Sequence, residues 1–184
     1  MDFSELKKIV NSSFDDYFAN KIYFPPEQNP DFENENSRGI AVRLKNNYRD
    51  RGCLSLYCGI KDFQKAASFC CQQACDDPRY EKISQSDKDE LYVNICVFEN
   101  WAKMKNCYDF IPGYDSLLLI NKNASNSDDE ITLLQTSIAI ENNYSRDQFL
   151  RRLCLKANLP PDSYKTENFV FYKAPTQSFT EKLN

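Results

Sequence analysis

Arg51-Gly52-Cys53 holds the most chemistry in this sequence, since it sets a guanidinium two positions from a thiol with the smallest residue between them. A thiolate beside a cation has a lowered pKa and becomes a nucleophile near neutral pH. Gly52 admits the close approach of a ligand or of another stretch of backbone. The same residues also read as architecture, with Gly52 closing a hairpin and Cys53 serving as a small core residue. Both readings stand at this stage.

A second cation, Arg79, follows Asp77-Pro78 in a rigid turn and is suited to grip an anion bidentately. Asp76, Asp77 and Glu81 offer it a structural salt bridge instead. Tyr114 and Asp115 follow Gly113. A desolvated Asp115 would serve as a general base, and a solvated one as a turn residue ahead of a strand. Cys70, Cys71 and Cys75 suggest a metal, but zinc sites need a second ligand pair, and this chain has no histidine. They read as a core helix face, and no metal site is expected.

The absence of histidine removes Ser-His and Cys-His dyads together with imidazole bases. Any proton transfer falls to Asp, Glu, Cys, Tyr or Lys. Four scattered glycines cannot form a phosphate-cradling loop, and no cofactor is expected. The net charge is −4, and the basic pairs Arg49/Arg51 and Arg151/Arg152 are interrupted or isolated. Aromatic strands such as Tyr92 to Phe98 and Phe171-Tyr172 could stack bases only among clustered cations, which are missing. The charge balance argues against nucleic acid.

Elements must hold these groups in place. Apolar residues Phe3, Leu6, Val10, Phe14 and Phe18 recur at helical spacing, which predicts a first helix over about 3–19 capped by Asp2 or Ser4. Polar residues 28–37 read as a surface excursion. Gly39 to Leu44 and Leu54 to Tyr57 read as two strands of a hairpin joined by polar residues ending in Gly52. A helix is expected over 62–75, stopped by Pro78. Strands follow at 91–98, 117–120, 131–134 and 169–172, with a helical turn at 101–104 and a polar loop at 123–129. Ser145 and Gln148 form a capping box that opens a helix over 147–158.

At 184 residues, with 41% hydrophobic and 27% charged residues, the chain has the size and composition of one globular domain. No run of apolar residues is long enough to span a membrane, and no secretory leader is visible, so reduced cysteines and a cytoplasmic or nuclear setting are expected. The order of helices and short-linked strands predicts an α+β fold with a mainly antiparallel sheet flanked by helices.

Four ordered pieces resemble the AMMECR domain family. Arg51-Gly52-Cys53-Leu54 matches its hallmark step, with Asp50 and Ser55 departing from it. Asp77-Pro78-Arg79-Tyr80 matches the turn after its helix, and Glu90-Leu91 the start of its next strand. Phe149-Leu150, Leu153-Cys154, Lys156-Ala157 and Leu159-Pro160 match its C-terminal pattern, so the likeness covers about 38–175. Where the family carries a histidine before a strand, this chain has Gly113-Tyr114-Asp115-Ser116, and Gln135-Thr136 replaces a Pro-Glu step.

The resemblance implies a single domain over 1–184 with a larger part from both chain ends, a smaller middle part near 60–110 and a cleft between them. It also implies an association with Memo-like and radical-SAM proteins but no defined reaction. The leading expectation is an accessory module that binds an unidentified small ligand or protein partner, drawing on Arg51, Gly52, Cys53, Arg79 and Tyr114. The alternative is an enzyme with Cys53 as nucleophile, Arg51 and Arg79 stabilising the thiolate or an anion, and Asp115 or Tyr114 moving protons. Nucleic-acid recognition is the weaker third.

Overall fold

The structure, a computed structural model, describes residues 2–27, 32, 37–46, 49–122, 130–166 and 168–183. Most of the two polar loops, at 28–31, 33–36 and 123–129, lies outside the described residues, as do Asn47 and Tyr48. The fold is α+β with antiparallel strands, as expected. Two compact units make up the chain: Met1–Asp31 with Asn36–Val97 and Ser178–Asn184, and Phe32–Glu35 with Phe98–Gln177.

The first unit is built on two helices and the hairpin beneath them. Helix α1, Phe3–Phe18, starts at Asp2, whose Oδ1 accepts from Ser4 N at 2.8 Å. Its buried stripe of Leu6, Val10 and Phe14 packs against helix α2, Phe63–Cys75. Asp62 caps α2 by accepting from the backbone of Gln64 and Lys65. The inner face of α2 is Ala66, Ala67, Cys70, Cys71 and Ala74, all buried and all small. Small side chains let α2 lie close to strands β1, Gly39–Asn46, and β2, Arg49–Leu56.

Strand β3, Leu91–Phe98, lies on the other side of β1, and the last residues of strand β7, Phe169–Lys182, lie beside β3. There the amide of Asn94 donates to the hydroxyls of Ser178 and Thr180, each at 2.9 Å, so this buried polar group is satisfied. Lys7 pairs with Glu181, which ties the chain's end to α1.

The second unit centres on strand β5, Asp115–Asn121, paired with both β6, Ile131–Leu134, and the first part of β7. Helix α3, Thr136–Asn142, and helix α4, Arg146–Lys156, follow β6. The capping box forms as expected, with Gln148 Oε1 accepting from Ser145 N at 2.8 Å. Phe149, Leu150, Leu153 and Cys154 of α4 are buried with Leu117 and Leu119 of β5.

Three expectations need correction, and one element was not foreseen. Residues 101–104 are not helical: Ala102–Lys103 form strand β4, which pairs with β7 at Lys173 and Tyr172. Strand β7 continues far past Tyr172, through Pro175, because Pro175 lies where only a carbonyl is needed, accepting from Glu99 N at 2.9 Å. Residues Thr136–Asn142, for which no element was expected, form helix α3, held at its start by Ser116 Oγ, which accepts from Thr136 N at 2.9 Å. The hairpin is also longer than the apolar pattern, since opposed pairs Lys45↔Asp50 and Asn46↔Arg49 extend its ladder.

Candidate functional site

The extended ladder changes where Arg51-Gly52-Cys53 stands. The three residues lie inside β2 rather than after a loop. Leu44 faces Gly52 and the next residue, Lys45, faces Asp50, which leaves Arg51 as the extra residue of a β-bulge. A bulge bends its strand and redirects a side chain. Arg51 reaches Asp87 in the 3-10 turn Gln85–Glu90, with Nη2 to Oδ2 at 3.4 Å, while its Nε is buried without a hydrogen-bond partner among the described residues. Asp87 is held ionised chiefly by the backbone N–H of Ser84, at 2.7 Å, which lowers its pKa.

Gly52 has a packing reason to be glycine. A Cβ built there would stand 1.7 Å from the carbonyl oxygen of Ala74, so α2 and β2 meet backbone to backbone at this point. The close approach that glycine allows is filled by this chain's own helix.

Cys53 is half-buried, and both its backbone groups are taken from the Asp77–Arg79 turn. Its N–H donates to Asp77 Oδ2 at 3.0 Å, and its carbonyl accepts from Arg79 Nη2 at 3.1 Å. β2 is the terminal strand of its sheet, with exposed edge groups of the kind that template unwanted pairing. At Cys53 an ion pair does the work of a neighbouring strand.

The ion pair is close to a fork. Arg79 Nε donates to Asp77 Oδ1 at 2.8 Å and Nη2 to Oδ2 at 2.6 Å, and the backbone N–H of Arg79 adds a third bond at 3.1 Å. Burial pushes the Asp77 carboxyl up, but the hydrogen bonds from Arg79 and from the Cys53 backbone outweigh it, so the net pKa is lowered. The same carboxylate raises the pKa of Arg79. The Asp77 side chain is 5% exposed and that of Arg79 is 57% exposed, so the cation is anchored from below and open above. Its guanidinium also lies 5.5 Å from the ring centre of Tyr80.

Arg51, Arg79 and Tyr80 line a hollow of about 610 Å³ together with Asn46, Arg49, Asp50 and Glu81. Three guanidinium groups face two carboxylates here, and one of those, Asp50, is 3.5 Å from the buried Arg43. Tyr80 has a raised pKa, from burial first and then from the charge of Asp50, so it stays a neutral donor at pH 7. The whole hollow belongs to the first unit.

Tyr114 and Asp115 belong to the second unit. Asp115 is 4% exposed and accepts from Ile111 N at 2.8 Å, the geometry of a turn-closing residue; Tyr114 is 55% exposed and its carbonyl accepts from Thr176 N. Cys70, Cys71 and Cys75 lie in the buried face of α2. Burial raises the Cys70 thiol and a hydrogen bond with Cys75 raises Cys71, so both are poor nucleophiles. Among the described residues no group of three or more His, Cys, Asp or Glu is placed to hold a metal ion.

Sequence reasoning paired Arg49 with Arg51 and offered Glu81 to Arg79 without giving either a place in the site, and it missed Asp87 as a partner of Arg51. Arg49 was within reach, since it is two residues from Arg51. Asp87 left no local signal, being 36 residues away.

The chain is thus an antiparallel α+β protein whose Arg-Gly-Cys strand is pinned to an Asp-Pro-Arg turn. The model of the AMMECR1 family matches residues 7–179, and the chain belongs to that family. Similar proteins include one from Thermococcus onnurineus, 26% identical over 96% of this chain and 89% of its own length. Protein TK0174 of Thermococcus kodakarensis is 27% identical over the same shares. Among solved structures, the crystal structure of uncharacterized protein PH0010 from Pyrococcus horikoshii has a TM-score of 0.79 at 21% identity, covering 97% of this chain and 90% of that one. That likeness speaks to the fold. No helix among the described residues is long and apolar enough to cross a membrane.

Proposed function

We propose that this protein is a binding module whose cationic hollow takes the anionic group of a small ligand or of a partner's segment. The observation that carries the reading is the convergence of Arg49, Arg51 and Arg79 on one hollow. Two of these are anchored by carboxylates of their own, Arg51 by Asp87 and Arg79 by Asp77. Anchoring removes side-chain entropy before binding, so less is lost when an anion docks. Asp50 and Glu81 on the rim select against a bulky polyanion and for a compact phosphate or carboxylate. The reading goes with an intracellular, cytoplasmic protein with reduced thiols; the archaeal relatives lend a nuclear setting no support.

A second reading rests on the Arg79 guanidinium at the Cys53 backbone, which places a cation beside a half-buried thiol. It makes Cys53 a nucleophile, and makes Arg79 rather than Arg51 the group next to it. Cys53 does not line the hollow, so the binding reading is preferred.

The test is calorimetric titration with pyrophosphate at low salt. Binding is expected, with Arg51→Gln weakening it about tenfold, the value of one charge-assisted hydrogen bond. Cys53→Ala is expected to leave affinity within about twofold, because the thiol is outside the hollow. Absence of binding at millimolar pyrophosphate, or indifference to Arg51→Gln, would remove the proposal. Loss of binding in Cys53→Ala would move the thiol into the site.

A further inference from the structure

A second hollow, in the other unit and independent of the reading above, has a different chemistry. It is about 380 Å³ in volume, and its rim carries Lys103, Lys105, Lys122 and Lys165. Its apolar wall is supplied by Phe169 and Val170, both half-buried, over Met104 and Phe171. Among the described residues no carboxylate lines it. Two carboxylates bond to its lysines from outside: Asp109 accepts from the Lys105 backbone N–H at 3.1 Å and pairs with Lys173 at 2.8 Å, and Asp162 pairs with Lys165 at 3.1 Å and Arg151 at 3.2 Å.

We infer that this hollow binds a small organic phosphate bearing an aromatic or similarly flat apolar body. Four lysines line one concavity, and with Lys165 held by Asp162 the other three still exceed what a monocarboxylate needs; they suit a phosphate dianion, which has three oxygens to share among point-charge donors. Phe169 and Val170 give the organic part a dry surface, which an inorganic ion cannot use. The volume fits a single ring with its phosphate. β4 contributes Lys103 and the last described residues after β5 contribute Lys122, while the turn at Ser163–Lys165 supplies Lys165. Cations drawn from three separate segments meet only because the strands beneath them pair.

The probes are phenyl phosphate, inorganic phosphate and benzyl alcohol, titrated into the full chain by calorimetry. Phenyl phosphate is expected to bind at least about fivefold more tightly than inorganic phosphate, with benzyl alcohol weaker still. The double variant Lys103→Gln/Lys105→Gln, at exposed positions, is expected to cut phenyl phosphate affinity about tenfold, and Arg51→Gln to leave it unchanged. Phe169→Leu is expected to remove much of the advantage over inorganic phosphate while preserving the fold. Equal affinity for the two phosphates overturns the proposal, as does a lysine variant that binds like the parent. Loss of phenyl phosphate binding in Arg51→Gln assigns the ligand to the first hollow and likewise overturns it.

Discussion

The start and the middle of strand β2 are built differently. At Gly52 and Cys53, β2 is closed: Gly52 abuts the Ala74 carbonyl, and both backbone groups of Cys53 are taken by Asp77 and Arg79. At Arg49 to Arg51 the strand is bulged and faces an open hollow. Residues adjacent in one motif therefore divide the work, with glycine and cysteine fixing strand to helix and turn while the arginines line the hollow. A motif that reads as one functional unit in sequence is two structures in space.

The largest effect that would break this comparison is at Gly52. Gly52→Ala puts a methyl group 1.7 Å from backbone oxygen, where neither side can rotate away. We expect a loss of about 3 kcal/mol or more in urea unfolding, at the high end of overpacking penalties. A variant as stable as the parent would show that the seam is not closed.

Next comes Asp77. Replacing it with Asn is expected to cost about 2 kcal/mol near neutral pH, because a buried carboxylate loses charge-assisted bonds from Arg79 and leaves Cys53 N–H poorly served. The sign with pH follows from its lowered native pKa. The stabilisation is complete above the unfolded value, about 3.9, and is lost as pH falls through the lower native one. The stability gap between parent and Asp77→Asn is therefore expected to be widest above about pH 5 and to narrow on acidification. A gap independent of pH would mean the carboxylate's charge is immaterial.

The smallest effect sharpens the division. Cys53→Ala removes a half-buried thiol while leaving both its backbone bonds, so a loss of about 1 kcal/mol or less is expected, with pyrophosphate affinity intact.

Much of the fold could be read in the residues themselves. The α1 stripe, the Asp62 and Ser145 caps and the buried runs of β3 and β5 are local signals, and local signals survive into the structure. The second half of β7 was not legible, since Pro175 and a polar run resemble loop until partners supply the ladder. Helix α3 was hidden by β-branched residues whose strand preference is overruled at the Ser116 contact. At the site, Arg51, Gly52, Cys53 and Arg79 were visible as a cluster of types. The bulge that turns Arg51 toward Asp87, and the helix carbonyl that requires Gly52, arise from pairings across long sequence separations and leave no mark in the motif.

The central claim is that the open start of β2 is an anion site and its closed middle, Gly52 and Cys53, is not. Backbone amide NMR during a pyrophosphate titration tests it most directly, in the parent and in Arg51→Gln. The account predicts shifts concentrated at residues 49–51 and 79–81 that saturate in the parent and largely vanish in the variant. Shifts absent from those residues, or persisting unchanged when Arg51 is replaced, would contradict it.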